Sequence, residues 1–101
     1  MSKQHNYFVY ILTNYNKTVL YVGVTNDLGI RISQHTEGNG INAFTRKYKC
    51  FYLVYYERFQ YINDAIDREK EMKGWSRAKK NALIEVENAD WRFLNDEIKE
   101  G

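Results

Sequence analysis

Two phenols, a guanidinium, an imidazole and a carboxylate stand at spacings that a small fold can gather. Tyr10 and Tyr21 lie in two apolar segments with ten residues between them, Arg31 and His35 are four apart, and Glu69 sits within Arg68-Glu69-Lys70. Together these groups suit cutting a phosphodiester. An attacked phosphate gains negative charge on its non-bridging oxygens, and a guanidinium can donate two parallel hydrogen bonds to them. Residues four apart share a helix face, so Arg31 and His35 can address one target. The plain reading of such a pair is a solvent-exposed one, with His35 favoured near a helix end by the dipole. With nine tyrosines in the chain, any single one, taken alone, reads as core filling.

The carboxylate is the more telling group. Ile62, Ala65, Ile66 and Met72 form an apolar stripe at helical spacing, and the same period puts Glu69 in that stripe, three residues from Ile66 and three from Met72. Burying an ionised carboxylate alone is costly, so an inward glutamate has a cationic partner, a metal or a raised pKa. An ion pair with Arg31 or another base is the simplest of these.

The elements that must position these groups follow from pattern. Tyr7–Leu12 and Val19–Val24 read as two strands of an antiparallel hairpin across an Asn14-Tyr15-Asn16-Lys17 turn. Asn26 or Asp27 caps a helix to about His35, with Leu28 and Ile32 inward, before a Gly38-Asn39-Gly40 loop. Phe51–Glu57 is a third strand. Asn63 caps a helix that Gly74 stops after Lys73, Ser76 caps another to about Glu87, and Trp91, Phe93 and Leu94 fold back as a short closing helix. The expected fold class is α+β, a three-stranded antiparallel sheet flanked by helices. Residues 1–6 read as a disordered tail and 96–101 as a flexible one, around a nuclease-sized domain at 7–95. Gly23, two residues after Tyr21, reads as open space beside the ring for a substrate to approach.

At 101 residues with 44% hydrophobic content, the chain suffices for one core and not for two. No long apolar run or export signal is present, which points to the cytoplasm and away from membranes. The single cysteine, Cys50, excludes an intrachain disulfide and a multi-cysteine zinc site, and its apolar setting reads as packing. A net charge of +2 is weak evidence for a nucleic-acid partner, but its distribution is not. Residues 1–50 carry six Lys/Arg against two acids and residues 68–80 six against two, whereas 85–101 carry two against six. Arg46, Lys47, Tyr48 and Lys49, read as a loop, alternate cations with a ring that can stack on a base, and Lys73 and Arg77 extend the candidate nucleic-acid surface. Arg77-Lys79-Lys80 equally suits a solvated helix face.

On Tyr10, Tyr21-Val22-Gly23, Arg31, His35 and Glu69, with Tyr-Val-Gly-Val-Thr-Asn-Asp-Leu at 21–28 and Lys-Gly-Trp-Ser-Arg-Ala-Lys-Lys at 73–80, the chain resembles the GIY-YIG nucleases over most of residues 7–94. It is most similar to their small stand-alone bacterial members, whose single domain is like the N-terminal nuclease domain of the excision-repair excinuclease. The resemblance implies a metal-dependent endonuclease acting on DNA, with RNA left open, roles in structure-selective repair or recombination, and a partner protein or second copy for specificity. It implies one divalent cation, Mg²⁺ or Mn²⁺, held by Glu69 with water and phosphate oxygens, Arg31 against the developing charge, Tyr21 or Tyr10 as general base, and His35 assisting. A free phenol has pKa about 10, so acting near neutrality requires roughly 4 kcal/mol of preferential phenolate stabilisation. Two departures stand out: the first Gly of the family name is Phe8, and the lysine that excision-repair nucleases carry after the second motif is Val24. Asn81, twelve residues after Glu69, falls where several members place a substrate-positioning asparagine. A catalytically silent nucleic-acid-binding module and a protein-interaction scaffold are the alternatives, and neither requires an inward Glu69.

Overall fold

Tyr7–Thr13 (β1) and Leu20–Thr25 (β2) are rich in β-branched and aromatic residues, which pack well on a pleated surface. The computed structural model, which describes residues 6–37 and 40–99, joins them as an antiparallel hairpin with Tyr10 opposite Gly23. Asn14 builds the turn. Its side-chain oxygen accepts from the Thr18 and Val19 amides at 2.8 and 3.1 Å, while Lys17 takes a left-handed φ of 61°.

Tyr52–Phe59 (β3) pairs antiparallel with the other side of β1, giving the order β2-β1-β3. Ile11 faces Tyr55 but Leu12 faces Leu53, so Val54 is the extra residue of a bulge. The C-terminal segment takes up backbone groups around this bulge. The Asn95 side chain accepts from the Leu53 amide at 2.9 Å and donates to Phe51 O at 2.9 Å, the Leu94 amide donates to Leu53 O at 2.7 Å, and Asn88 donates to Val54 O at 3.0 Å. An unpaired strand edge is a template for unwanted pairing, and these contacts occupy the start of the β3 edge at Leu53 and Val54.

The helices among the described residues are Leu28–Glu37 (α1) and Ala43–Tyr48 (α2), before β3, and Ile62–Lys73 (α3), Arg77–Glu87 (α4) and Asn95–Lys99 (α5), after it. Asp27 Oδ1 caps α1 by accepting from the Ile30 amide at 3.0 Å, and Ser76 Oγ caps α4 through the Lys79 amide at 3.1 Å. Helices this short are marginal alone, so packing against the sheet holds them. The strands' period of two sends Val9, Ile11 and Val22 toward Ala65 and Met72 of α3 and Ile84 of α4, while Tyr10 and Leu12 meet Leu28 and Ile32 of α1 and Leu94. Each such Ile or Leu contributes about 1.5–3 kcal/mol on burial. The class is α+β, a three-stranded antiparallel sheet with helices on both faces.

Several boundaries differ from the sequence reading. Arg46, Lys47 and Tyr48, expected as loop, belong to α2, and Lys49 caps its C-terminal end. The closing helix starts at Asn95 rather than spanning Trp91–Leu94, so part of the expected tail at 96–101 is helical, with Ile98 packed on the core. Tyr61, without a side-chain cap bond, occupies the position expected for Asn63, because α3 begins one residue before Asn63. That early start also leaves Ile62 on the outside, 41% exposed, so it does not belong to the apolar stripe. Gly38 and Asn39 of the expected loop, and residues 1–5, lie outside the described residues. Gly40 closes α1 through its amide to His35 O at 3.0 Å, at a φ of 95° where a side chain would also strike the backbone of Arg46. Among the described residues no helix is long and apolar enough to cross a membrane.

Candidate active site

Tyr10 is the hub. Its side chain points from the central strand toward α1 and is fully buried. The space its phenol needs comes from the opposite residue, since a Cβ on Gly23 would stand 2.5 Å from both Tyr10 Cζ and Oη. The absence of bulk at Gly23, expected to admit substrate, instead admits Tyr10.

Around this phenol the other groups assemble. The Tyr10 hydroxyl is 3.5 Å from His35 Nε2, and the rings of Tyr10, Tyr21 and His35 have centroids 6.1–6.4 Å apart. The charges of Arg31 and Glu69 and the Tyr21 phenol all act on the Tyr10 side chain electrostatically. Arg31 also lies 3.5 Å from Val24 O through Nη1. Tyr10, Tyr21 and His35, from β1, β2 and α1, thus meet at one point, with Arg31 of α1 and Glu69 of α3 near enough for their charges to act on Tyr10.

Burial sets the charge states of Tyr10 and His35. It pushes the Tyr10 phenol up to about 12, against the opposing pull of the Arg31 guanidinium. It also lowers the His35 imidazole to about 4, with the Arg31 charge adding to the effect. His35 is therefore neutral near pH 7. With Nε2 facing the Tyr10 hydroxyl, Nδ1 is the buried polar atom without a partner among the described residues.

Tyr21 differs from Tyr10 in two respects. It is only half-buried, and its oxygen accepts a 3.0 Å hydrogen bond from Asn42 Nδ2. Asn42 is also the N-cap of α2, in a reciprocal capping box in which its Oδ1 accepts from the Thr45 amide at 2.9 Å. This residue went unnoticed in the sequence because α2 did; the Asn42-Ala-Phe-Thr45 spacing of a capping box was the available signal.

Glu69 lies at the margin of the α3 apolar face, its side chain 17% exposed. Its partner is Lys73, one turn on at 3.4 Å and half-exposed, rather than Arg31. A single long contact of this kind contributes little and yields readily to a stronger cation. Among the described residues no group of three or more His, Cys, Asp or Glu could hold a metal ion. The donor set nonetheless fits Mg²⁺ or Mn²⁺, hard cations that need few carboxylates and complete their shell with water and phosphate oxygens.

The expected nucleic-acid residues divide into two groups. Arg46, Lys47, Tyr48 and Lys49 lie together at the exposed end of α2, with Lys47 Nζ 5.2 Å from the Tyr48 ring centre. Lys73 is paired with Glu69. Arg77 donates from its three nitrogens to Asn81 Oδ1, Thr18 O and Lys17 O at 2.8–2.9 Å, bracing the hairpin turn. Asn81 is thereby tied to Arg77. Cys50 is fully buried, and burial raises its thiol to about 11, consistent with packing.

The sheet and the cluster around Tyr10 describe a small α+β domain whose polar groups meet at one spot, and comparison with other proteins names that class. A family model for the GIY-YIG catalytic domain matches residues 6–82. A UPF0213 protein of Bacillus pumilus is 36% identical over 83 residues, 82% of this chain and 83% of that one. Another, from Natronomonas pharaonis, is 38% identical over 79 residues, 78% of this chain and 91% of its own. The solution NMR structure of a UPF0213 protein from Bacillus halodurans superposes with a TM-score of 0.55 at 34% identity, covering 85% of this chain and 89% of that chain. The chain belongs to the GIY-YIG family, a family of nucleases.

Proposed function

We propose that this protein is a metal-dependent endonuclease that hydrolyses phosphodiester bonds in DNA. The observation that carries the reading is that Tyr21 and His35 pack around the buried Tyr10 and that the charges of Arg31 and Glu69 act on it, from three elements other than its own. A scaffold or a silent binding module has no use for an arginine and a carboxylate whose charges converge on a buried phenol.

Of the two tyrosines, Tyr21 is the better general base. Tyr10 is sealed from water and held protonated by burial, whereas the Tyr21 oxygen is the more accessible of the two. The Asn42 N–H orients that oxygen, and a donated hydrogen bond of this kind is retained when the phenol loses its proton. After its own proton has gone to solvent, Tyr21 takes the proton of the attacking water while the water oxygen bonds to phosphorus and the opposite P–O bond breaks. Arg31 meets the charge that develops on the non-bridging oxygens. Tyr10 and neutral His35 fix the position of Arg31 and Tyr21 from beneath. Glu69 would hold the divalent cation, which supplies polarisation of the phosphate and charge stabilisation at the leaving oxygen. With few elements beyond the site among the described residues, recognition of DNA structure, as in repair or recombination, fits better than recognition of sequence. A partner protein or second copy would sharpen it.

Purified protein should cleave at least one of a panel of linear, single-stranded, nicked and branched DNAs with Mg²⁺ or Mn²⁺ and none with EDTA. Glu69→Gln keeps the shape but loses the anionic donor, so cleavage should fall at least about a hundredfold with folding intact. Tyr21→Phe should abolish turnover, and Arg31→Ala should lower kcat far more than affinity. Absence of cleavage across the panel would leave a nucleic-acid-binding module as the reading, and full activity in Glu69→Gln would overturn Glu69 as the metal donor.

A further inference from the structure

The aromatic rings do not stop at the catalytic cluster. Tyr21 is 5.9 Å from Phe44 and Phe44 is 4.8 Å from Tyr48, centre to centre, so a row of rings leads from buried His35 to the surface of α2. Phe44 and Tyr48 are four apart, hence on one face of the helix, and are 41% and 40% exposed. Folding normally buries a phenylalanine and gains from doing so. Here the ring is left in contact with water on the same side as the general base. Its surroundings are basic: residues 40–50 contain Arg46, Lys47 and Lys49 and no acid. The two rings are inclined at 51°, so they do not cover each other's faces.

We propose that Phe44 and Tyr48 form a stacking platform for unpaired bases of the DNA substrate, next to the phosphate that is cut, with Arg46, Lys47 and Lys49 holding the flanking backbone. The proposal rests on the nuclease reading and extends it to the substrate: DNA that is single-stranded where it crosses α2. Every base has a π-face, so stacking tolerates any sequence, and it requires the base to be out of a duplex. A protein partner or a membrane surface also meets apolar and basic groups. Neither accounts for the continuity of the rings with Tyr21, whereas a nucleic-acid strand has to pass from the site across the adjoining surface.

Binding in EDTA separates this idea from catalysis, since no turnover is involved. Affinities of the wild-type chain, Phe44→Leu and Tyr48→Leu should be measured for a fluorescein-labelled single-stranded DNA and for the same strand annealed to its complement. The leucine variants should weaken single-strand binding by about tenfold or more and duplex binding by no more than about twofold. Arg46→Ala should weaken both to a similar extent. Phe44→Trp and Tyr48→Trp, which keep an aromatic face, should retain the single-strand preference, and thermal unfolding shows whether each leucine variant is folded. Equal losses on both DNAs, no loss on either, or loss of the preference in the tryptophan variants would overturn the proposal. So would self-association, or binding to vesicles of anionic phospholipid, that the leucine variants abolish while DNA affinity is unchanged. A failure here leaves the hydrolysis test with Glu69→Gln undisturbed.

Discussion

His35 couples the site to the stability of the fold. Its imidazole is fully buried and faces Arg31, Tyr10 and Tyr21, so folding lowers its pKa from 6.5 to about 4. Between those values the unfolded chain binds a proton that the folded chain does not, so stability rises with pH across this window. The stabilisation is complete above about pH 6.5 and drains away as pH falls toward 4, to a limit on the order of 3 kcal/mol. Thermal unfolding at constant ionic strength should show Tm falling between pH 7 and pH 4.5, and His35→Gln, which cannot titrate, should flatten that dependence. Parallel curves for the two proteins would place the sensitivity elsewhere. At this scale much of the site was legible. The helical period put Glu69 among apolar residues, and the spacing of four put Arg31 beside His35. What the sequence did not reveal was depth: one tyrosine is sealed under the sheet's central strand and the other opens to solvent, a difference set by strand order and by the missing Cβ of Gly23.

The helix α2 links the site to the surface, because one side chain serves both. Asn42 Oδ1 caps the helix while Nδ2 donates to Tyr21, and the two roles can be separated. Asn42→Ala loses both and should cost about 1 kcal/mol of stability in denaturant unfolding, the usual magnitude for an N-cap. Asn42→Asp keeps the capping oxygen but turns the donor facing Tyr21 into an acceptor. Its stability should stay near wild type while turnover falls at least about tenfold. An aspartate variant that is fully active would show that Asn42 serves the helix alone. The strands and the longer helices α1, α3 and α4 were legible because each presents an apolar face of the right period. Six-residue α2 buries only Thr45 and has no such face, so only its capping box could have marked it. α5 was misplaced for a related reason: Trp91, Phe93 and Leu94 supply the apolar signal, but Trp91 has a left-handed φ of 56°, and the helix begins only after Leu94 has docked on β3.

Across the whole molecule, charge rather than bulk composition decides where a phosphate backbone can lie. The chain's net charge of +2 is small, and three-dimensional pairing shrinks the basic surface further. Of the cations at 68–80, Arg68 is bonded to Glu57 and Glu71, Lys73 to Glu69, and Arg77 to the hairpin turn, while Lys79 sits 4.4 Å from the Trp75 ring centre. The stretch that looked as basic as residues 46–49 is thus largely spent on the protein itself, and linear charge counting could not show this. Arg46 and Lys47, by contrast, have no acidic partner among the described residues and are exposed beside Tyr21's ring neighbours. Each phosphate neutralised releases counterions, so the logarithm of affinity falls linearly with the logarithm of salt, by about one unit of slope per contact. Arg46→Ala and Lys47→Ala should each weaken DNA binding and flatten that slope by about one. Arg77→Ala should leave the slope nearly unchanged and instead lower Tm, through loss of its bonds to Lys17 O and Thr18 O. Titrations of labelled DNA across a range of salt concentrations, with thermal unfolding of the same variants, decide the matter. A flattened slope for Arg77→Ala with Tm intact would move the phosphate track from α2 to the hairpin side of the molecule.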